Sequence, residues 1–72
     1  MNKAMNLFRL GQNIRHCRHT RQLRQCELAA GASCHPDPLS RIELGLSAPS
    51  VELLIRIARA LKCPVRELLD GV

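Results

Sequence analysis

Apolar residues near the start of the chain recur at Leu7, Leu10, Ile14 and Cys17. Steps of three, four and three draw one stripe down a helix. This spacing predicts a first helix over Leu7 to Thr20, with Arg9, Arg15, His16, Arg18 and His19 on its other faces. The pattern breaks at Arg21-Gln22-Leu23. It resumes as a shorter run, Gln25 to Ala32, with Leu28, Ala29 and Ala32 on one side. Leu39 and Ile42, three apart, seat another short helix on that one. Val51, Leu54, Ala58 and Leu61 repeat the three-four-three spacing, with Ile57 alongside, and predict a fourth helix. A fifth covers Val65 to Leu69, with Leu68 and Leu69 packing back.

Polar and special residues place the boundaries. Ser50 is a good N-cap for the fourth helix, and Glu52 suits its first turn. Lys62 stands at its C-terminal end, where a cation suits the dipole. Pro64 opens the last helix and Asp70-Gly71 ends it. Cys34-His35-Pro36-Asp37-Pro38 is the unusual stretch. Proline is excluded from helix interiors, and the residue before it avoids helical angles. The expectation is therefore an extended His35, with Asp37 as N-cap and Pro38 as first helical residue. That helix runs to about Leu44, and Gly45 closes it in the left-handed conformation. Arg24, before the second helix, offers no acceptor and makes a poor cap. Gln25, in the first turn, offers its amide to a phosphate.

Arg24 to Gly45 thus reads as two short helices joined by a tight turn. Ala29, Ala30, Gly31, Ala32 and Ser33 fill the bend, where two backbones come close. This matches a helix-turn-helix, whose second helix is offered to a DNA major groove.

Seventy-two residues make one domain. Residues 1–6 are read as a frayed lead-in and 7–72 as the domain. So small a core calls for well-packed helices, a dimer partner, or both. One Phe and no Trp or Tyr leave Leu, Ile, Ala and Val as the packing residues, which favours an all-α fold. No apolar run reaches the ~20 residues of a membrane span, and the N-terminus lacks the apolar core of a secretion signal, so a cytoplasmic location is expected.

Charge sharpens the picture. The net charge is +5, and Lys3, Arg9, Arg15, Arg18, Arg21 and Arg24 all precede the first acid, Glu27. A positive third of a small domain suits nucleic acid phosphate; a solvated basic face is the plain alternative. The four cysteines show no Cys-x-x-Cys pair, so structural zinc spacing is absent. Cys17, Cys34 and Cys63 read as buried thiols serving as small hydrophobes. Cys26 faces outward beside Arg24, where a redox-sensing thiol is the alternative. His16 and His19 lie three apart without a local third ligand and read as a surface pair. No metal, cofactor or catalytic constellation is expected.

The ordered pieces resemble the DNA-binding domain of the phage Cro and repressor type. They are Leu10-Gly11 with Ile14 and Arg18, then Leu23-x-Gln25 and Glu27-Leu28-Ala29, then Leu39-Ser40-Arg41-Ile42-Glu43-x-Gly45. Pro49-Ser50 and Leu54 through Ala58 to Leu61 complete the set. The resemblance spans Leu10 to Leu69 without a gap and implies a compact five-helix bundle of the lambda-repressor-like type. It also implies roles. Arg24 and Gln25 lie at the phosphate backbone, His35 and Asp37 at the helix tip, and Ser40 near phosphate or a base edge. Arg41 reaches guanine N7 and O6. Arg18 and Glu43 form an ion pair bridging the first and third helices.

The chain departs from that pattern at several points. Pro36 and Pro38 donate nothing at the tip, and Asp37 is repelled by phosphate unless it reads a cytosine amine. Gln22 replaces a glycine, and Leu46 replaces a basic residue. Leu44 and Leu46 form an apolar edge that can mark a partner surface. The reading is a DNA-binding transcriptional regulator, a homodimer on double-stranded DNA. The alternative uses the same fold as a protein-interaction module, anti-repressor or antitoxin-like.

Overall fold

A computed structural model describes residues 4–72; Lys3 and the rest of 1–3 lie outside them. Its helices are α1 (Leu7–Thr20), α2 (Gln25–Gly31), α3 (Pro36–Glu43), α4 (Val51–Leu61) and α5 (Val65–Leu68). There is no strand among the described residues, so the all-α expectation stands. Asn6, placed in the lead-in by sequence, is engaged: its side chain caps α1 by accepting from Arg9 N–H, and its own N–H donates to Val72 O.

The core is built from the predicted stripes. Leu10 and Ile14 of α1, Leu28 and Ala29 of α2, and Leu39 and Ile42 of α3 are buried together with Leu54, Ile57, Ala58, Leu61 and Leu68. α3 lies across α1 and α2, α4 packs on α2, and α5 closes against α1 and α4. Gly11 permits the tightest crossing. A Cβ there would strike the backbone carbonyls of Ile42 and Glu43, so α1 can approach α3 only through a residue without a side chain.

Two core expectations fail. Val51 opens α4 three residues before Leu54, yet it is 76% exposed. The packed stripe is Leu54, Ile57, Ala58 and Leu61, and Val51 stands outside it. Leu69 falls past the last turn of α5 and is partly exposed, so Leu68 alone packs back. Within the bend, Ala29 and Ala32 are inside, while Ala30, Gly31 and Ser33 are exposed.

Helices α1 to α4 end alike. Gln22, Ser33, Gly45 and Lys62 take positive φ of 57°, 55°, 76° and 53°. In each case the next residue's N–H reaches back five residues: Leu23 to Arg18 O, Cys34 to Ala29 O, Leu46 to Arg41 O and Cys63 to Ala58 O. This closure satisfies carbonyls that a helix end leaves free. Only Gly45 has the residue that the conformation favours.

Candidate nucleic-acid interface

The turn between α2 and α3 places α3 on the surface, and its cap differs from the one expected. His35, with φ −77° and ψ 152°, is the N-cap, and the helix starts at Pro36. Asp37 does not cap: it is helical, in the first turn, ahead of Pro38. The first four amides of a helix have no intrahelical acceptor, so prolines at the first and third positions forfeit no bond. The carbonyl four residues before Pro38 belongs to Cys34, outside the helix, so the ring meets no helical carbonyl. The first intrahelical bond runs from Leu39 N–H to His35 O at 3.4 Å.

The two faces of α3 have opposite character. Leu39, Ile42 and Glu43 are buried. Asp37, Arg41 and Leu44 are exposed and Ser40 is half-buried; spacings of three, four and seven put them on one outward stripe. Among the described residues, neither Asp37 nor Arg41 has a hydrogen bond or ion pair to another side chain. A guanidinium and a carboxylate thus stand one helical turn apart, both available to a ligand.

Glu43 anchors the inward face. Arg18 Nε donates to its Oε2 at 2.8 Å and Nη2 to its Oε1 at 2.9 Å, a bidentate pair whose side chains are 10% and 3% exposed. Arg18 Nη1 also donates to Leu23 O at 3.0 Å, and Gln25 Nε2 to Glu43 Oε1 at 3.1 Å. One network therefore fixes α1, the connection before α2, the start of α2 and the inner face of α3. Fully satisfied bonds are what make such burial tolerable.

The Gln25 bond was not legible in the sequence. Two residues 18 apart carry no periodic signal of contact. One of the two amide hydrogens of Gln25 is spent on Glu43, and the other remains. Arg24 is exposed beside Glu27, whose carboxylate accepts from Arg24 N–H at 2.8 Å. That backbone bond, ahead of the neighbouring guanidinium, holds the Glu27 carboxyl below its ordinary pKa. Glu27 thus satisfies the amide of the N-cap residue itself, while the Arg24 side chain caps no first-turn amide. His35 is exposed at the helix tip.

The basic first third does not form one face. Arg18 is buried with Glu43. Arg9 turns to Asp70, donating to its carbonyl at 3.2 Å, and Arg21 donates to Lys62 O at 3.1 Å. Phe8, 62% exposed, was not singled out by its sequence, although an aromatic off the α1 stripe was the available signal. Gly45 packs against the Phe8 backbone, between exposed Leu44 and Leu46.

A helix-turn-helix domain family model matches residues 9–70. The chain belongs to the helix-turn-helix domain family. Among solved structures, it is similar to the restriction-modification controller protein C.AhdI from Aeromonas hydrophila. The TM-score is 0.86 at 28% identity, over 90% of this chain and 98% of that one. It is also similar to the clp gene regulator ClgR from Corynebacterium glutamicum. One structure gives a TM-score of 0.87 at 29% identity, over 96% of this chain and 73% of that one. By name, one is a controller protein and the other a gene regulator. No curated protein matches. No helix among the described residues is long and apolar enough to cross a membrane.

Proposed function

We infer that this helix-turn-helix protein is a sequence-specific DNA-binding transcriptional regulator, with residues 7–72 acting as its single DNA-binding domain. The observation that carries the reading is Arg41: exposed and unpaired on an outward stripe, while Glu43 two residues on locks the helix from behind. In the major groove a guanidinium recognises guanine N7 and O6, and α3 presents one there. Ser40 and Asp37 flank it, and Arg24, His35 and the spare Gln25 amide hydrogen lie near the phosphate backbone. The Cro and repressor type of docking fits this arrangement, as does a homodimer that places two copies of α3 on a two-fold operator.

Selection from random duplexes, followed by gel shift of the selected sequence, tests this reading. Salt-sensitive, sequence-selective binding that Arg41→Ala weakens is the expected result. Equal affinity for all duplexes overturns it.

A second reading rests on Phe8, Leu44 and Leu46, which expose apolar surface around Gly45. Here the fold serves as a protein-interaction module, and Pro36 and Pro38 weaken base reading. It predicts a stoichiometric protein partner lost in Leu44→Ser with Leu46→Ser, and no duplex selectivity.

A further inference from the structure

Cys17 and Cys63 are 46 positions apart, but the fold brings their sulfurs to 3.5 Å. Cys17 lies on α1 and Cys63 in the turn between α4 and α5, so the contact joins separate parts of the chain. Both are half-buried and free. They share an open groove of about 440 Å³ with His16, Arg21, Lys62 and Glu67, which gives a small reagent a path to the sulfurs. Cys63 Sγ donates to Glu67 Oε2 at 3.2 Å, so a carboxylate is already placed on the Cys63 proton.

We propose that Cys17 and Cys63 form a thiol-oxidation site, at which a hydroperoxide is reduced and the two sulfurs become joined as a disulfide. Roles follow from the contacts. Cys63 holds its proton: burial first, and the Glu67 hydrogen bond second, push this thiol up to about 12. Among the described residues no carboxylate accepts from Cys17, and with the Cys63 proton directed at Glu67, Cys17 is the attacking sulfur. Its sulfur attacks the terminal oxygen of the peroxide: the S–O bond forms, the O–O bond breaks, and the displaced hydroxide or alkoxide leaves as water or an alcohol with the Cys17 proton. Cys17 becomes a sulfenic acid. Cys63 sulfur then attacks Cys17 sulfur as Glu67 accepts the Cys63 proton. The S–OH bond breaks, and hydroxide departs as water by taking that proton. The two thiols lose two electrons and two protons, and the peroxide gains both. Glu67 is a positioning and proton-accepting residue for ring closure.

The test treats the reduced full-length chain with stoichiometric hydrogen peroxide, quenches with N-ethylmaleimide and maps the products by mass. The expected product has lost two hydrogens, links the Cys17 and Cys63 peptides, and carries maleimide on Cys26 and Cys34. Its Tm rises by on the order of 10 °C, since the bridge closes a long loop. Glu67→Gln slows ring closure by about 100-fold, the range of a lost general base, and lets dimedone trap a sulfenic acid on Cys17. Maleimide on both Cys17 and Cys63 after oxidation, with Cys26 oxidised or bridging two chains, overturns the site. Dimedone on Cys63 overturns the order of attack. Every readout is mass or melting, so the result stands apart from DNA binding.

Discussion

Arg41 and Glu43 are two residues apart on α3 and face opposite media. Arg41 meets solvent without a partner among the described residues, so its truncation leaves the fold intact and, on the proposed function, removes a base contact. Arg41→Ala should lose about 1–3 kcal/mol of selected-site affinity, roughly fivefold to 150-fold, measured by fluorescence anisotropy at fixed salt. Unchanged circular dichroism separates this from unfolding. Glu43 meets Arg18 in the interior. Glu43→Ala strands a buried guanidinium and should destabilise by about 3–5 kcal/mol in a urea titration. A Glu43→Ala chain with wild-type midpoint would show that the network contributes nothing to stability. Cys63 adds a pH dependence. Its folded pKa lies near 12 and so above its ordinary value of 9.0. The folded state holds that proton more tightly, so the contribution is complete below about pH 9 and is lost as pH rises toward 12. Thermal melts of Cys63→Ala should show a shallower decline across that window than the wild type.

At the scale of elements, the helices were legible where apolar spacing and terminal chemistry agreed. The Leu7, Leu10, Ile14 stripe gives α1 its extent, although the sequence reads its Asn6 cap as lead-in; Ser50 caps α4 by accepting from Leu53 N–H at 3.0 Å. Gly45 closes α3 as its residue type demands. Legibility failed where a rule was local and the outcome was not. Proline's exclusion from helix interiors pointed to Asp37 as cap, but the first turn is not an interior. Val51 fits the α4 period, but periodicity does not say where neighbouring helices stop. Of the candidate site, the exposed Arg41 and half-buried Ser40 follow from helical phase, whereas the Gln25–Glu43 bond and the Cys17–Cys63 contact depend on tertiary approach. The helix ends yield one more test. Gln22 is left-handed without being glycine, a conformation that costs about 1–2 kcal/mol for a residue with a Cβ. Glycine gives back part of that gain through its looser unfolded chain. Gln22→Gly should therefore stabilise by about 0.5–1 kcal/mol, and a lower urea midpoint would show that the Gln22 side chain offsets its own strain.

The molecule as a whole carries +5 charges, but the fold commits several of its cations internally. Arg18 is buried, Arg9 pairs with Asp70, Arg56 donates to Ala32 O and to Glu52, and Arg21 reaches Lys62 O. Net charge therefore overstates the number of phosphates one copy can neutralise. Arg24, whose guanidinium makes only a long, exposed 3.5 Å contact with Glu27, and the free edge of α3 provide contacts at little internal cost, on the order of two or three per copy. Counterion release then predicts a log–log salt slope of about −2 to −3 for one copy on one half-site, at −0.9 per phosphate. On a two-fold operator the slope should double, because two copies of α3 dock about 34 Å apart with the same contacts. Titrations from low to moderate salt on half-site and full-site duplexes measure both values. A full-site slope equal to the half-site slope would mean that one copy binds alone, and the two-fold arrangement would then be wrong even if Arg41 still reads its guanine.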